Sequence, residues 1–283
     1  MGTLESLNIE TMETPEGVKL QPSESLRREM PEIKNKWLYL AIPAIAIAFA
    51  ELMIYSGNII QAMGIDALIL LGLSFSTMFV KNEEIQKTYQ ALILLPILRL
   101  VDLSMPVFYD VKLYNLIFIY GLLVIPVSIA ATNQEFTRTQ LGITFKKIGI
   151  YIPLSIVLGL LIGAGEYLIA GKHLLIGDLS VFSLLMLSII MIFFVGLVEE
   201  TIFRSILQNR LETAFGNREG LIITSILFGL MHSGYGNINE IVYTSLIGIF
   251  IGYLFYRTRS LPLVALIHGF INVFFFGIIP LLF

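Results

Sequence analysis

Nine apolar runs punctuate the chain, at roughly 37–56, 62–80, 88–104, 112–131, 148–170, 179–208, 220–235, 241–256 and 261–279, with polar residues gathered between them. Each run is continuous rather than alternating. The pattern therefore predicts helices and argues against a closed barrel, whose strands alternate with period two. The longer runs suffice to cross a bilayer at 1.5 Å per residue, and the shorter ones suit an inner bundle shielded by its neighbours. The expected fold is all-α, a polytopic transmembrane bundle of eight or nine spans. The 179–208 run is long enough to cross and emerge, or to break near Gly196 into two pieces.

Residues 1–36 read differently. Glu5, Glu10, Glu13, Glu16 and Glu24 make this stretch polar, and Pro22 and Pro31 oppose one long helix. Leu26, Met30 and Ile33 recur at helical spacing and would suit a short interfacial helix over 24–36. No basic start followed by a short apolar core is present, so no cleaved signal peptide is expected.

Composition supports the membrane reading. The chain is 56% hydrophobic and 14% charged, with a mean hydropathy of +0.83, whereas a soluble domain carries about a quarter charged residues. A net charge of -3 without a basic tract gives no reason to expect nucleic acid. The absence of cysteine excludes disulfides, thiolate metal sites and a cysteine nucleophile. With residues 1–36 on the cytosolic side, fourteen Lys and Arg fall on that side, against Lys112 and Lys172 on the other. This positive-inside bias supports nine crossings and a cytosolic N-terminus. The expected location is the cell membrane, or the endoplasmic reticulum membrane of a eukaryote.

The few polar residues inside the runs carry the chemistry. Val198-Glu199-Glu200-Thr201-Ile202-Phe203-Arg204 places two carboxylates and an arginine where charge is costly. His232 and His268 fall in later runs. Measured from inner ends near residues 209, 220 and 261, Glu200, His232 and His268 lie about 11 to 18 Å deep, in one layer on the cytosolic side of the midplane. Arg99 and Asp102 stand at the spacing of a helical ion pair and read as a structural link between helices. Glu51 is a lone carboxylate in the first run.

On a helix, Glu200 and Arg204 share a face and Glu199 is turned away from it by about 100°. One carboxylate can be held by the guanidinium while the other accepts a proton from water. His268 and Asn272 repeat the four-residue spacing and can donate to a developing oxyanion. Each feature also has a plain structural reading: a helix-terminal salt bridge, an interhelical hydrogen bond from His232, and a packing clamp beside Gly269. Together, in an apolar surround, they form a hydrolytic set. Two histidines and a glutamate could instead bind zinc, although the His-Glu-x-x-His helix is missing. A serine protease site is disfavoured because Ser233 directly follows His232. An aspartyl site needs two aspartates within spans, and Asp110 and Asp178 fall in connections. Transport would predict an inverted repeat with paired broken helices, and none is evident.

The motifs Glu-Glu-x-x-x-Arg, Phe-x-x-x-His and His-x-x-x-Asn occur in that order at Glu199 to Arg204, Phe228 to His232 and His268 to Asn272. This pattern resembles the signature of the CPBP family of membrane proteins, which includes type II CAAX prenyl endopeptidases and bacteriocin-processing and immunity proteins. The resemblance covers about residues 140–283, including Leu141-Gly142-Ile143. It divides the chain into a polar cytosolic tail (1–36), N-terminal transmembrane helices (37–139) and a CPBP-like catalytic core (140–283). It implies an intramembrane glutamate protease with no catalytic metal and no cofactor. In that scheme Glu199 and His232 activate the attacking water, His268 and Asn272 stabilise the oxyanion, and Glu200 with Arg204 supports the site. The implied partners are the lipid bilayer and a prenylated or membrane-anchored peptide, which loses a C-terminal tripeptide in a chamber open to cytosol and lipid. The alternatives are processing of another membrane peptide, such as a bacteriocin precursor, and a non-enzymatic immunity or assembly role.

Overall fold

The computed structural model describes residues 36–104 and 112–283. The polar tail and the interfacial helix expected within it lie outside the described residues. Every element among those described is helical. They are Lys36–Tyr55 (α1), Ile59–Phe79 (α2), Glu83–Leu92 (α3), Leu94–Ser104 (α4), Asn115–Asn133 (α5) and Ile148–Ala170 (α6). Val181–Phe215 (α7), Asn217–Leu230 (α8), Ile238–Thr258 (α9) and Leu261–Leu282 (α10) follow.

The apolar runs map one to one onto rods, the third being divided into α3 and α4 at Ile93. Seven helices are long and apolar enough to cross a membrane: α1, α2, α5, α6, α7, α9 and α10. The α3–α4 rod and α8 are the shorter two. Outward faces of the bundle carry Ile45, Leu68, Phe118 and Leu161, all exposed. A soluble protein rarely shows so much contiguous apolar surface, and lipid accounts for it. The chain is a multi-pass membrane protein.

Two elements set the architecture of the site. α7 does not break at Gly196; it continues through that residue with two π-helical stretches, Ile190–Gly196 and Thr201–Gln208, around an α-helical turn at Leu197–Glu200. Such π turns recur at functional sites. α10 is the most enclosed helix, with Val264, Ile267 and Phe275 fully buried. The two cross at close range. A Cβ on Gly196 would come 2.8 Å from the Ala265 carbonyl oxygen, and one on Gly269 would come 2.7 Å from the Ile192 Cα. Glycine permits this approach, which carries His268 onto the face of α7 that bears the glutamates.

α7 also runs further than its apolar pattern suggests, to Phe215 rather than ending near 209. Arg210 is buried because Gln134 takes its charge-bearing head, accepting at 2.6 Å through the side chain and 3.0 Å through the carbonyl. Helix therefore continues for fifteen residues beyond Glu200 rather than the nine expected from sequence. At its other end α7 starts at a Ser180 cap, whose hydroxyl accepts from the Ser183 N–H. Hydrogen bonds from Ser180 and Ser183 hold the neighbouring Asp178 carboxyl below the usual carboxylate range.

The Leu141-Gly142-Ile143 stretch is seated inside this frame. The carbonyls of Gln140 and Leu141 accept from Asn209 and Ser205 of α7 at 2.5 and 2.6 Å. Gly142 has φ +75°, and a Cβ there would lie 2.8 Å from the Leu261 nitrogen that opens α10. A residue with a side chain would be both strained and obstructed at this position.

Candidate active site

A cavity of about 320 Å³ is walled by α4, α5, α6, α7, α10 and the connection between α8 and α9. Glu199, His232, His268 and Asn272 all line it. Glu200 and Arg204 do not; they stand behind the wall, both fully buried. The six residues expected from sequence thus come together in one place, divided four and two.

Glu200 organises the rear. Its Oε2 lies 3.2 Å from Nε of Arg204, one helical step on, and its Oε1 lies 2.8 Å from Nδ1 of His268. The guanidinium also sits 4.7 Å from the ring centroid of Phe228, where the aromatic face offsets part of its desolvation. A carboxylate paired with arginine accepts hydrogen bonds, so the Nδ1–H of His268 is the donor. Nε2 of the same ring lies 3.8 Å from Oε2 of Glu199, too far for a direct hydrogen bond and suitable for a bridging water.

Glu199 and His232 are held from other directions. The Tyr120 hydroxyl of α5 donates to Oε1 of Glu199. Nδ1 of His232 is 3.1 Å from the Phe228 carbonyl, which requires that nitrogen to carry the proton and leaves Nε2 as the acceptor. The ring lies nearly parallel to Tyr235 at a centroid distance of 6.3 Å. Asn272 has no side-chain hydrogen bond among the described residues, so its amide can donate to something in the cavity. Among the described residues no three histidine, aspartate or glutamate side chains are arranged to hold a metal ion.

Residues 181–274 match the family model for type II CAAX prenyl endopeptidase, Rce1-like. The match covers about a third of the chain, and over that segment the chain is similar to the Rce1-like endopeptidases of the CPBP family. It starts with the first residue of α7, reaches into α10 and contains all three motifs. Peptidase activity is what that family implies. No curated protein and no solved structure matches the chain.

Several cavity residues lie outside the Rce1-like segment, and sequence spacing marked only Arg99 and Asp102 among them. Tyr120 is one. Arg99 is another, and its principal partner is not Asp102, at 3.5 Å, but Glu51, which it meets through two bonds of 2.8 and 2.5 Å. Arg99 also donates to the Met231 carbonyl at 2.6 Å, and Ser233 donates to Glu51 at 2.5 Å. The residues on either side of His232 are therefore clamped to α1 and α4. The lone Glu51 acquires its explanation here: it is the buried counter-ion of Arg99. Asp66 and Asp102, absent from the comparison with aspartyl sites, stand in α2 and α4. Only Asp102 lines the cavity, where it faces Arg99 and not a second aspartate.

The lining residues also indicate the cavity's place along the bundle. Arg99 and Asp102 come late in α4, Tyr120 early in α5 and Glu166 late in α6, with Leu175 in the connection that follows. The cavity therefore extends from the motif residues toward the end of the bundle where α6 joins α7, which in the expected topology is the non-cytosolic end and not the cytosolic opening that the resemblance implies.

Proposed function

We propose that the protein is an intramembrane endopeptidase of the glutamate type, which hydrolyses the peptide bond after a prenylated cysteine and releases a C-terminal tripeptide. The observation that carries this reading is the convergence of Glu199, His232, His268 and Asn272 on one cavity enclosed by membrane helices. The Rce1-like match supports the substrate class.

The geometry suits a water attack. Glu199, oriented by Tyr120, takes a proton from a water held near the 3.8 Å gap to His268, while Nε2 of His232 accepts its second hydrogen bond. The water oxygen adds to the scissile carbonyl carbon. With both ring nitrogens protonated, His268 donates from Nε2 to the resulting oxyanion, as does the Asn272 amide. The proton on Glu199 then passes to the leaving nitrogen, the C–N bond breaks, and a prenylcysteine carboxylate and a free tripeptide amine result. Glu200 and Arg204 fix the His268 ring and touch no reacting atom. The apolar wall of Leu98, Leu116, Met191 and Val195 excludes bulk water and gives each of these interactions a low-dielectric setting.

In this reading the substrate and the bilayer are the protein's partners, the N-terminus is cytosolic, and the chemistry uses no metal. The test is product identification. Purified protein in detergent, with a chelator present, is incubated with a farnesylated peptide and the fragments are weighed by mass spectrometry. Release of the intact tripeptide supports the proposal. Cleavage of an unprenylated membrane peptide, with the farnesylated one left whole, would retain the peptidase and overturn the substrate.

A further inference from the structure

Glu166 of α6 is not used by the mechanism above, yet it lines the same cavity as Glu199, His232 and His268. It is 6% exposed, and among the described residues it makes no hydrogen bond or ion pair. The acid acting on it is Glu240, in the first turn of α9. Glu240 is fully buried, and neither of its carboxyl oxygens has a hydrogen-bond partner. Glu166 thus sits in the cavity wall and Glu240 is buried outside it, with no basic side chain of the described residues acting on either. Buried acids are costly unless something complements them, and in membrane bundles they mark places that meet a substrate or cargo.

The other charges of the cavity are already matched. Arg99, its cation, is saturated by Glu51, the Met231 carbonyl and Asp102. Glu199 accepts from Tyr120 and faces His268. The remaining unmatched group is an acid, aimed into the space that holds the substrate. Its complement is an ammonium or a guanidinium.

We infer that Glu166, backed by Glu240, forms a subsite of the catalytic cavity for a basic side chain of the peptide substrate. The inference rests on the peptidase reading of the same cavity and adds the substrate's charge. Tyr235, which also lines the cavity, packs against the rings of His232 and Phe275. It supplies an aromatic surface for the stem of a lysine or arginine beside the acid.

The test uses farnesylated peptides carrying lysine, norleucine or glutamate at each of the three positions after the cysteine. The ratio of kcat/KM for lysine over norleucine is expected to reach about tenfold at one position in the wild type and to fall to about one in Glu166→Gln. A second measurement does not depend on turnover. Anisotropy of the labelled peptides is read with Glu199→Gln and with the Glu166→Gln/Glu199→Gln double variant. Tighter binding of the lysine peptide by the first alone supports the subsite. Equal affinity for lysine and norleucine peptides, or a lysine preference that survives Glu166→Gln, overturns it. If no peptide is cleaved but the lysine preference in binding is present and depends on Glu166, the subsite stands and the peptidase reading falls.

Discussion

Nδ1 of His268 lies 2.8 Å from Oε1 of Glu200, joining α10 to α7 across 68 residues of sequence. Because the other carboxylate oxygen faces Arg204, at 3.2 Å, one buried anion orients a histidine and neutralises an arginine together. Such a shared anion is difficult to replace. Glu200→Gln keeps the shape but leaves the guanidinium buried without a counter-ion, which should cost about 3 kcal/mol or more in unfolding free energy. Adding Arg204→Met should recover much of that stability. It should not recover turnover, which is expected to fall roughly a hundredfold when the ring loses its orienting carboxylate. Thermal unfolding in detergent and peptide cleavage check the two halves separately.

Tyr120→Phe removes a single hydroxyl from Oε1 of Glu199. A hydrogen bond to a charged group contributes about 1.5–3 kcal/mol, so kcat should fall by about tenfold or more. The unfolding temperature should change little, because the phenyl ring continues to fill the same place. A large loss of stability with kcat retained would assign Tyr120 to packing alone.

The crossing of α7 and α10 depends on absent side chains. In Gly269→Ala the new methyl group would lie 2.5 Å from Cγ1 and 2.7 Å from Cα of Ile192, so backbone must move. Overpacking of this kind costs about 1–3 kcal/mol. It also separates His268 from both glutamates, so activity should fall more than stability does. Gly121→Ala in α5 is the control, since a Cβ there meets nothing within 4 Å. It should be neutral in both measurements.

The clamp around His232 gives a different signature. Lysine at position 99 can reach Glu51 or the Met231 carbonyl but cannot reproduce the paired geometry. Arg99→Lys should therefore loosen the turn that carries His232 and lower kcat by about tenfold, with a smaller change in KM. Ser233→Ala removes one bond to Glu51 and leaves the Arg99 pair intact, so its effect on kcat should be smaller. Steady-state kinetics of both variants on one peptide make the comparison.

The apolar runs and the three motifs were legible because both are local. Continuous hydrophobicity marks a rod wherever it occurs, and a four-residue step puts Glu200 beside Arg204 even though the helix there is π-wound. The π turns were not legible, nor was the continuation of α7 to Phe215, which depends on Gln134 accepting Arg210 from another helix. The same limit hid the long-range contacts made from outside the Rce1-like segment. Arg99 was assigned to Asp102 because a three-residue spacing is visible in a sequence. Its stronger partner, Glu51, is 48 residues away, and the contacts of Arg99 with Met231 and of Ser233 with Glu51 span 132 and 182 residues. No spacing rule connects such positions; only the packed bundle does.

The most direct test of the account concerns Glu199. Wild type and Glu199→Gln are purified in detergent with a chelator, shown to have the same unfolding temperature, and assayed on the farnesylated peptide. The account predicts that wild type releases the tripeptide and that Glu199→Gln is slower by roughly a thousandfold, since the amide cannot take a proton from water. A glutamine variant that cleaves within about tenfold of wild type would contradict a glutamate base, and with it the mechanism drawn from this cavity.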